Sequence, residues 1–115
     1  VLCPGQKTYL DMAHNNSTNE RGICWANTIE VKDIFEWDPL VDIKNKNLIK
    51  GIQGQLWSET ITDKTYLDQM INPRLATLSE IAWKGKSSRD WIHFRSTLLN
   101  SVKLLENFGW SYHQF

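Results

Sequence analysis

The chain has 115 residues, with 13 basic and 13 acidic side chains and six tryptophans. That length suits one domain with one modest core. The balanced charge argues against a nucleic-acid or anionic-membrane surface, which needs a basic excess, and no apolar run approaches the ~20 residues of a membrane span.

Val1 to Cys3 is a short apolar start that looks like the end of a strand, and Pro4-Gly5 halts it. No basic segment followed by an apolar one marks a signal peptide. A chain that begins at Val1 without methionine is expected to be a processed product or a piece of something longer. Cys3 and Cys24 suit either a bridge in an oxidising compartment or two free thiols, the second being the reading we favour. "AHNNSTNERG" is polar and turn-rich and is expected as an exposed loop, with His14 on its surface. Asn15 and Asn16 both head Asn-x-Ser/Thr sequons, which matter only in a glycosylating pathway.

"NTIEVKDIFEW" suits one helical turn or two, and Asp38-Pro39 stops any helix before it. Leu48 to Trp57, "LIKGIQGQLW", is predicted as a strand, with Gly51 and Gly54 marking a bend or a close approach. A helix follows, capped by Thr62 or Asp63. Its apolar stripe is Tyr66, Leu67, Met70, Ile71, Leu75, Leu78 and Ile81. Pro73 should kink or split it, and Gly85 should end it. The last helix carries Trp91, Phe94, Leu98, Val102 and Leu105, with Ser87 and Asp90 spaced like a capping box and Gly109 as its stop. One strand among helices points to a slice of an α/β protein that has lost most of its strands.

Trp83, Trp91 and Trp110 fall on helical patterns, where core packing is the expectation. Trp25, Trp37 and Trp57 lie in loop-like or strand-end sequence. Two small groups have a chemical look. In extended chain, residues two apart face one side, so Tyr9 and Asp11 of "TYLDM" would present a phenol and a carboxylate to one space. Trp57 and Glu59 of "LWSET" would do the same with an indole and a carboxylate. An indole face with converging carboxylates suits a sugar: the pyranose stacks on the ring and its hydroxyls donate to the oxygens. Plainer readings stand beside these. Tyr9 would be merely half-buried, Asp11 a turn residue, and Glu59 an acid near the next helix's N-terminus. A metal site is not indicated, because His14, His93 and His113 are scattered. His93 is placed on the outer face of the last helix and His113 in the terminal tail.

The succession "YLDM", "ERGICWA", "IFEWDP", "IKGIQGQLWSE", "INPRLATLSEIAW", "DWIHF" and "NFGWSY" resembles the C-terminal portion of family 20 glycoside hydrolases, the β-N-acetylhexosaminidases including the chitobiases. The resemblance implies an α/β fold, the C-terminal part of a (β/α)8 barrel that is mostly helical as a fragment. Residues 1–115 would be one segment of the catalytic barrel, holding the end of the seventh strand, the eighth strand with its helix, and a C-terminal helix. It also implies exo-acting release of terminal N-acetylglucosamine or N-acetylgalactosamine by substrate-assisted retaining hydrolysis, one of the exceptions to the two-carboxylate scheme. The family's Asp-Glu pair, which orients the acetamido group and supplies the acid/base, has no counterpart in this chain, where no Asp-Glu dipeptide occurs.

By this resemblance Tyr9 is the catalytic residue, holding the acetamido carbonyl. Asp11 and Glu59 accept from the sugar's O4 and O6 hydroxyls, Trp57 walls the pocket, and Trp25 stacks on the next sugar. Trp25 as a loop lid without a ligand remains the alternative. Arg74, Glu80 and Trp83 match the family's helix motif but are read as structural, with Arg74 in a buried or half-buried ion pair. No cofactor is implied. The partners would be an N-acetylhexosamine-terminated oligosaccharide and the rest of the barrel, in a periplasmic, secreted or lysosomal setting. A segment that has lost its neighbours is expected to expose apolar surface. A reading of another class keeps the chain as a non-catalytic carbohydrate-binding or structural segment.

Overall fold

The computed structural model describes residues 1–115, and it is a helical assembly with no sheet. Its helices are α1 (Gly5–Thr8), α2 (Val31–Glu36), α3 (Lys64–Ile71), α4 (Arg74–Trp83) and α5 (Trp91–Asn107), with short 3-10 turns at Lys46–Leu48 and Lys86–Ser88. No helix is long and apolar enough to cross a membrane.

The predicted strand Leu48–Trp57 is corrected. Its start is the Lys46–Leu48 turn, and the remainder makes only two isolated parallel bridges, Leu2 with Ile52 and Tyr9 with Gln55. The reason lies in the partner segment. Tyr9 is seven positions beyond Leu2 but Gln55 only three beyond Ile52, and α1 takes up the excess, so no continuous ladder can form. Four backbone bonds still hold the two segments side by side: Leu2 N to Gly51 O, Gln53 N to Leu2 O, Gln55 N to Thr8 O and Leu10 N to Gln55 O, at 2.9, 3.0, 2.9 and 2.6 Å. A third parallel bridge, Met12 with Ile23, attaches the next segment on the other side.

Helix α2 buries Val31, Ile34 and Phe35, the i, i+3, i+4 face of a short amphipathic helix. The Asp33 carboxylate accepts from the Glu30 N–H at its start, 2.9 Å away. Its last carbonyls, which no helical N–H can reach, are met from outside. Arg89 donates to Phe35 O at 2.6 Å and Trp37 O at 2.7 Å, and Lys86 donates to Glu36 O. Helix α3 starts at Asp63, whose side chain accepts from Tyr66 N at 2.8 Å. Pro73 splits α3 from α4 as predicted, since it has no N–H to continue the ladder. Helix α4 turns Arg74, Thr77, Leu78 and Ile81 inward.

Gly85 is not the stop predicted for it. Helix α4 ends at Trp83 with Lys84 extended, and Gly85 has a φ of −60° and leads into the next turn. Helix α5 is capped by Asp90 itself, which accepts from His93 N at 2.9 Å, so the Ser87–Asp90 box is corrected to a single cap. Gly109 stops α5 as expected. Its φ is +76°, its N–H bonds Glu106 O, and Trp110 N bonds Leu105 O, the paired closure that a left-handed residue permits.

Two cores result. Leu10, Met12, Ile29, Ile34, Leu78 and Ile81 form one between the N-terminal segments, α2 and α4. Val31, Phe35, Phe94 and Leu98 form the other between α2 and α5, where Phe35 and Phe94 stack at 4.9 Å. Trp83 is corrected: it is 89% exposed. Leu75 and Trp110 are exposed too, and Trp91 is half-buried against Phe35. The expected exposed apolar surface is present, including Val41, Leu48, Ile92 and Phe108.

Candidate functional site

The stitching of Tyr9 to Gln55 decides what meets at this end of the molecule, because Trp57 follows Gln55 by two residues. The half-buried ring of Tyr9 lies between two exposed indoles. Its centroid is 5.8 Å from that of Trp25, edge-on at 80°, and 6.3 Å from that of Trp57, tilted at 55°. Trp25 passes close over Gly5, where a Cβ would sit 3.3 Å from its indole.

Asp11 is a turn residue, as the plainer reading has it, but at 1% exposure it is buried. Extended chain was the premise for placing Tyr9 and Asp11 on one side, and that is corrected as well: the backbone turns, with Met12 N bonded to Tyr9 O at 3.2 Å. Asp11 instead meets the Trp57 main chain, its Oδ1 accepting from the Trp57 backbone N–H at 3.4 Å. Its Oδ2 is the only buried side-chain polar atom without a hydrogen-bond partner. Such an atom is costly unless a donor arrives from elsewhere. Glu59 stands exposed beyond Trp57, with no hydrogen bond or ion pair of its own. Tyr9, Asp11, Trp25 and Trp57 are thus gathered on one face. None of the four main cavities is lined by them or by Glu59, so the face is open.

Beneath this face lies Arg74, and the ion pair expected for it is corrected. Arg74 has no carboxylate partner. It is fully buried and bonds backbone carbonyls: Nε and Nη2 to Met70 O at 3.2 and 2.8 Å, Nη1 to Met12 O at 2.8 Å and Ile29 O at 3.1 Å, and Nη2 to Leu10 O at 2.5 Å. Burial pushes its pKa down to about 9, against the opposing charges of Glu20, Asp11 and Tyr66, so it stays a cation at neutral pH. An arginine on an apolar helical stripe was the available signal in the sequence. Its carbonyl partners were not readable, since three of the four come from distant segments.

The histidines are corrected too. His14 is buried, not on the loop surface, and the C-terminal tail carries His113 back onto it. His113 Nε2 lies 3.2 Å from Glu20 Oε2, and ligand atoms of His14, Glu20 and His113 fall within 4.8 Å of one another. The two rings are stacked 3.6 Å apart and 4° from parallel. In-plane lone pairs of stacked rings do not converge on a common point, so the group as it stands is a polar stack that docks the tail. His93 is exposed on α5 as expected, and Cys3 and Cys24 are exposed and unpaired.

Residues 1–86 match the model of the family described as glycosyl hydrolase family 20, catalytic domain. A β-N-acetylhexosaminidase of Cellulomonas fimi is 33% identical over 98% of this chain, and a β-hexosaminidase of Vibrio furnissii is 36% identical over 69% of it. Among solved structures, the family 20 exo-β-N-acetylglucosaminidase of Vibrio harveyi in complex with N-acetylglucosamine superimposes with a TM-score of 0.88 at 35% identity, over 98% of this chain. The β-N-acetylhexosaminidase of Streptomyces coelicolor A3(2) gives 0.89 at 32% identity over the whole chain. The chain spans only 23% of the Cellulomonas fimi protein, 14% of the Vibrio furnissii protein and 18% and 24% of the two solved chains. A match over three-quarters of its length, by a sequence whose relatives are β-hexosaminidases, makes this chain a member of glycosyl hydrolase family 20.

Proposed function

We propose that this chain is the part of a β-N-acetylhexosaminidase barrel that grips the non-reducing sugar, and that a carboxylate pair outside it performs the proton transfer. In this reading the whole protein is exo-acting. It releases terminal N-acetylglucosamine or N-acetylgalactosamine from chitooligosaccharides or glycans, with retention through attack by the substrate's own acetamido oxygen. Tyr9 donates its phenol proton to the acetamido carbonyl and holds that oxygen in line with the anomeric carbon, a positioning and electrostatic contribution. Trp57 forms a wall on which the pyranose face stacks, and Trp25 receives the next sugar. Asp11 and Glu59 accept from the O4 and O6 hydroxyls. The bridged segments would be the ends of the last barrel strands, where such folds carry their sites.

The single observation that carries this reading is the free, buried Oδ2 of Asp11 beside the Tyr9–Trp57 pair. The chain contains no Asp-Glu dipeptide, so it supplies recognition and positioning and not the acid/base. The test uses the full-length protein and an aryl N-acetylglucosaminide. Glu59→Gln should raise KM about tenfold, worth about 1.4 kcal/mol of lost binding, and leave kcat within about threefold. Unchanged kinetics would remove Glu59 from the site.

A further inference from the structure

The molecule buries a cation, Arg74, within electrostatic reach of a buried carboxylate, Asp11, and does not pair them. All five N–H groups of Arg74 are spent on backbone carbonyls, those of Leu10, Met12, Ile29 and Met70. Two of these carbonyls belong to the residues on either side of Asp11, while the Asp11 carboxylate keeps one oxygen without a partner. No direct Arg74–Asp11 bridge forms, although it would have given that oxygen a charged donor. The fold forgoes it and fixes the backbone around Asp11 instead. The clamp also ties that backbone to Ile29, at the entrance to α2, and to the last turn of α3.

We propose that Arg74 is a positioning residue for the sugar site: it sets the aim of Asp11 by gripping the carbonyls of Leu10 and Met12 on either side of it. The inference rests on the reading of Asp11 as a sugar-hydroxyl acceptor. Only a guanidinium has the planar fork of five donors that can hold these carbonyls at once, and an ammonium has three donors on a flexible stem. A displaced Asp11 would lose its hydroxyl contact, and a misplacement of about 1 Å at such a site costs on the order of 100-fold in rate.

The test is a double-mutant cycle in the full-length protein, read as kcat/KM on an aryl N-acetylglucosaminide. Arg74→Lys should lower it about 100-fold with Asp11 in place. In the Asp11→Asn background the same change should cost no more than about twofold, the scatter of independent effects. An equal loss in both backgrounds would overturn the positioning role and leave the reading of Asp11 intact. No effect of Asp11→Asn alone would overturn that reading and the inference with it. Because a buried arginine is a hazardous position for folding, a second measurement uses the unaltered full-length protein: its crystal structure with N-acetylglucosamine bound. Arg74 should remain on Leu10 O and Met12 O while a sugar hydroxyl occupies Asp11 Oδ2. Release of either carbonyl, or a protein donor on that oxygen, would overturn the inference.

Discussion

The imidazole of His113 lies flat on that of His14, with ring centroids 3.6 Å apart. The contact joins the last residues of the chain to the loop behind the Asp11 turn. It is reinforced by His113 N on Asn72 O at 3.0 Å and Ser111 N on Asp68 Oδ2 at 3.1 Å. The buried Asp68 carboxyl is pushed up by burial, but the bonds from Lys64 and Ser111 more than offset this and hold it below the usual range.

His14 should make the docked tail sensitive to acid. Burial, then the charges of Arg74 and His113, push its pKa down from 6.5 to about 2, opposed by the bond to Gln69 O. The unfolded chain therefore binds a proton at pH values where the folded one does not. Stability is full above about pH 6.5 and falls as pH drops towards 2, by up to about 1.4 kcal/mol per pH unit for this one proton. His14→Gln removes the titration. In denaturant unfolding of the full-length protein, the stability gap between the unaltered protein and this variant should narrow from pH 7 to pH 5. A gap that stays constant or widens would contradict the assignment.

Gly22 should tolerate no side chain. Its φ is +107°, and a Cβ there would lie 2.8 Å from Ala13 N and 2.9 Å from Asp11 O. Both atoms are backbone and neither can swing aside. Gly22→Ala should destabilise by about 1–3 kcal/mol from backbone strain alone, with the overlap adding to it. It should also push the Asp11 turn out of place. Melting temperature and kcat/KM should fall together, and a variant matching the unaltered protein in both would refute the close approach.

Local patterns made the long helices readable, because Phe94, Leu98 and Val102 or Met70, Leu78 and Ile81 recur at the helical period whatever surrounds them. Tyr9, Asp11, Trp25 and Trp57, singled out from the succession of motifs, lie near one another through the Tyr9–Gln55 bridge and the Asp11–Trp57 bond. Features that depend on distant chain were not readable. His14 looks like loop surface until the tail arrives from 99 residues away. Arg74 looks like half of an ion pair because carbonyls carry no residue identity. Trp83 looks like core because its helix is amphipathic, yet no part of this chain covers it. Leu48 to Trp57 alternates like a strand, but α1 interrupts its neighbour, and pairing survives only at Ile52 and Gln55.

The central claim is that this chain grips and aligns the sugar while proton transfer belongs to residues outside it. Its most direct test is Tyr9→Phe in the full-length protein, assayed at steady state on an aryl N-acetylglucosaminide. Loss of one preaimed donor to the acetamido oxygen should lower kcat on the order of 100-fold while KM moves little. An unchanged kcat would contradict the account.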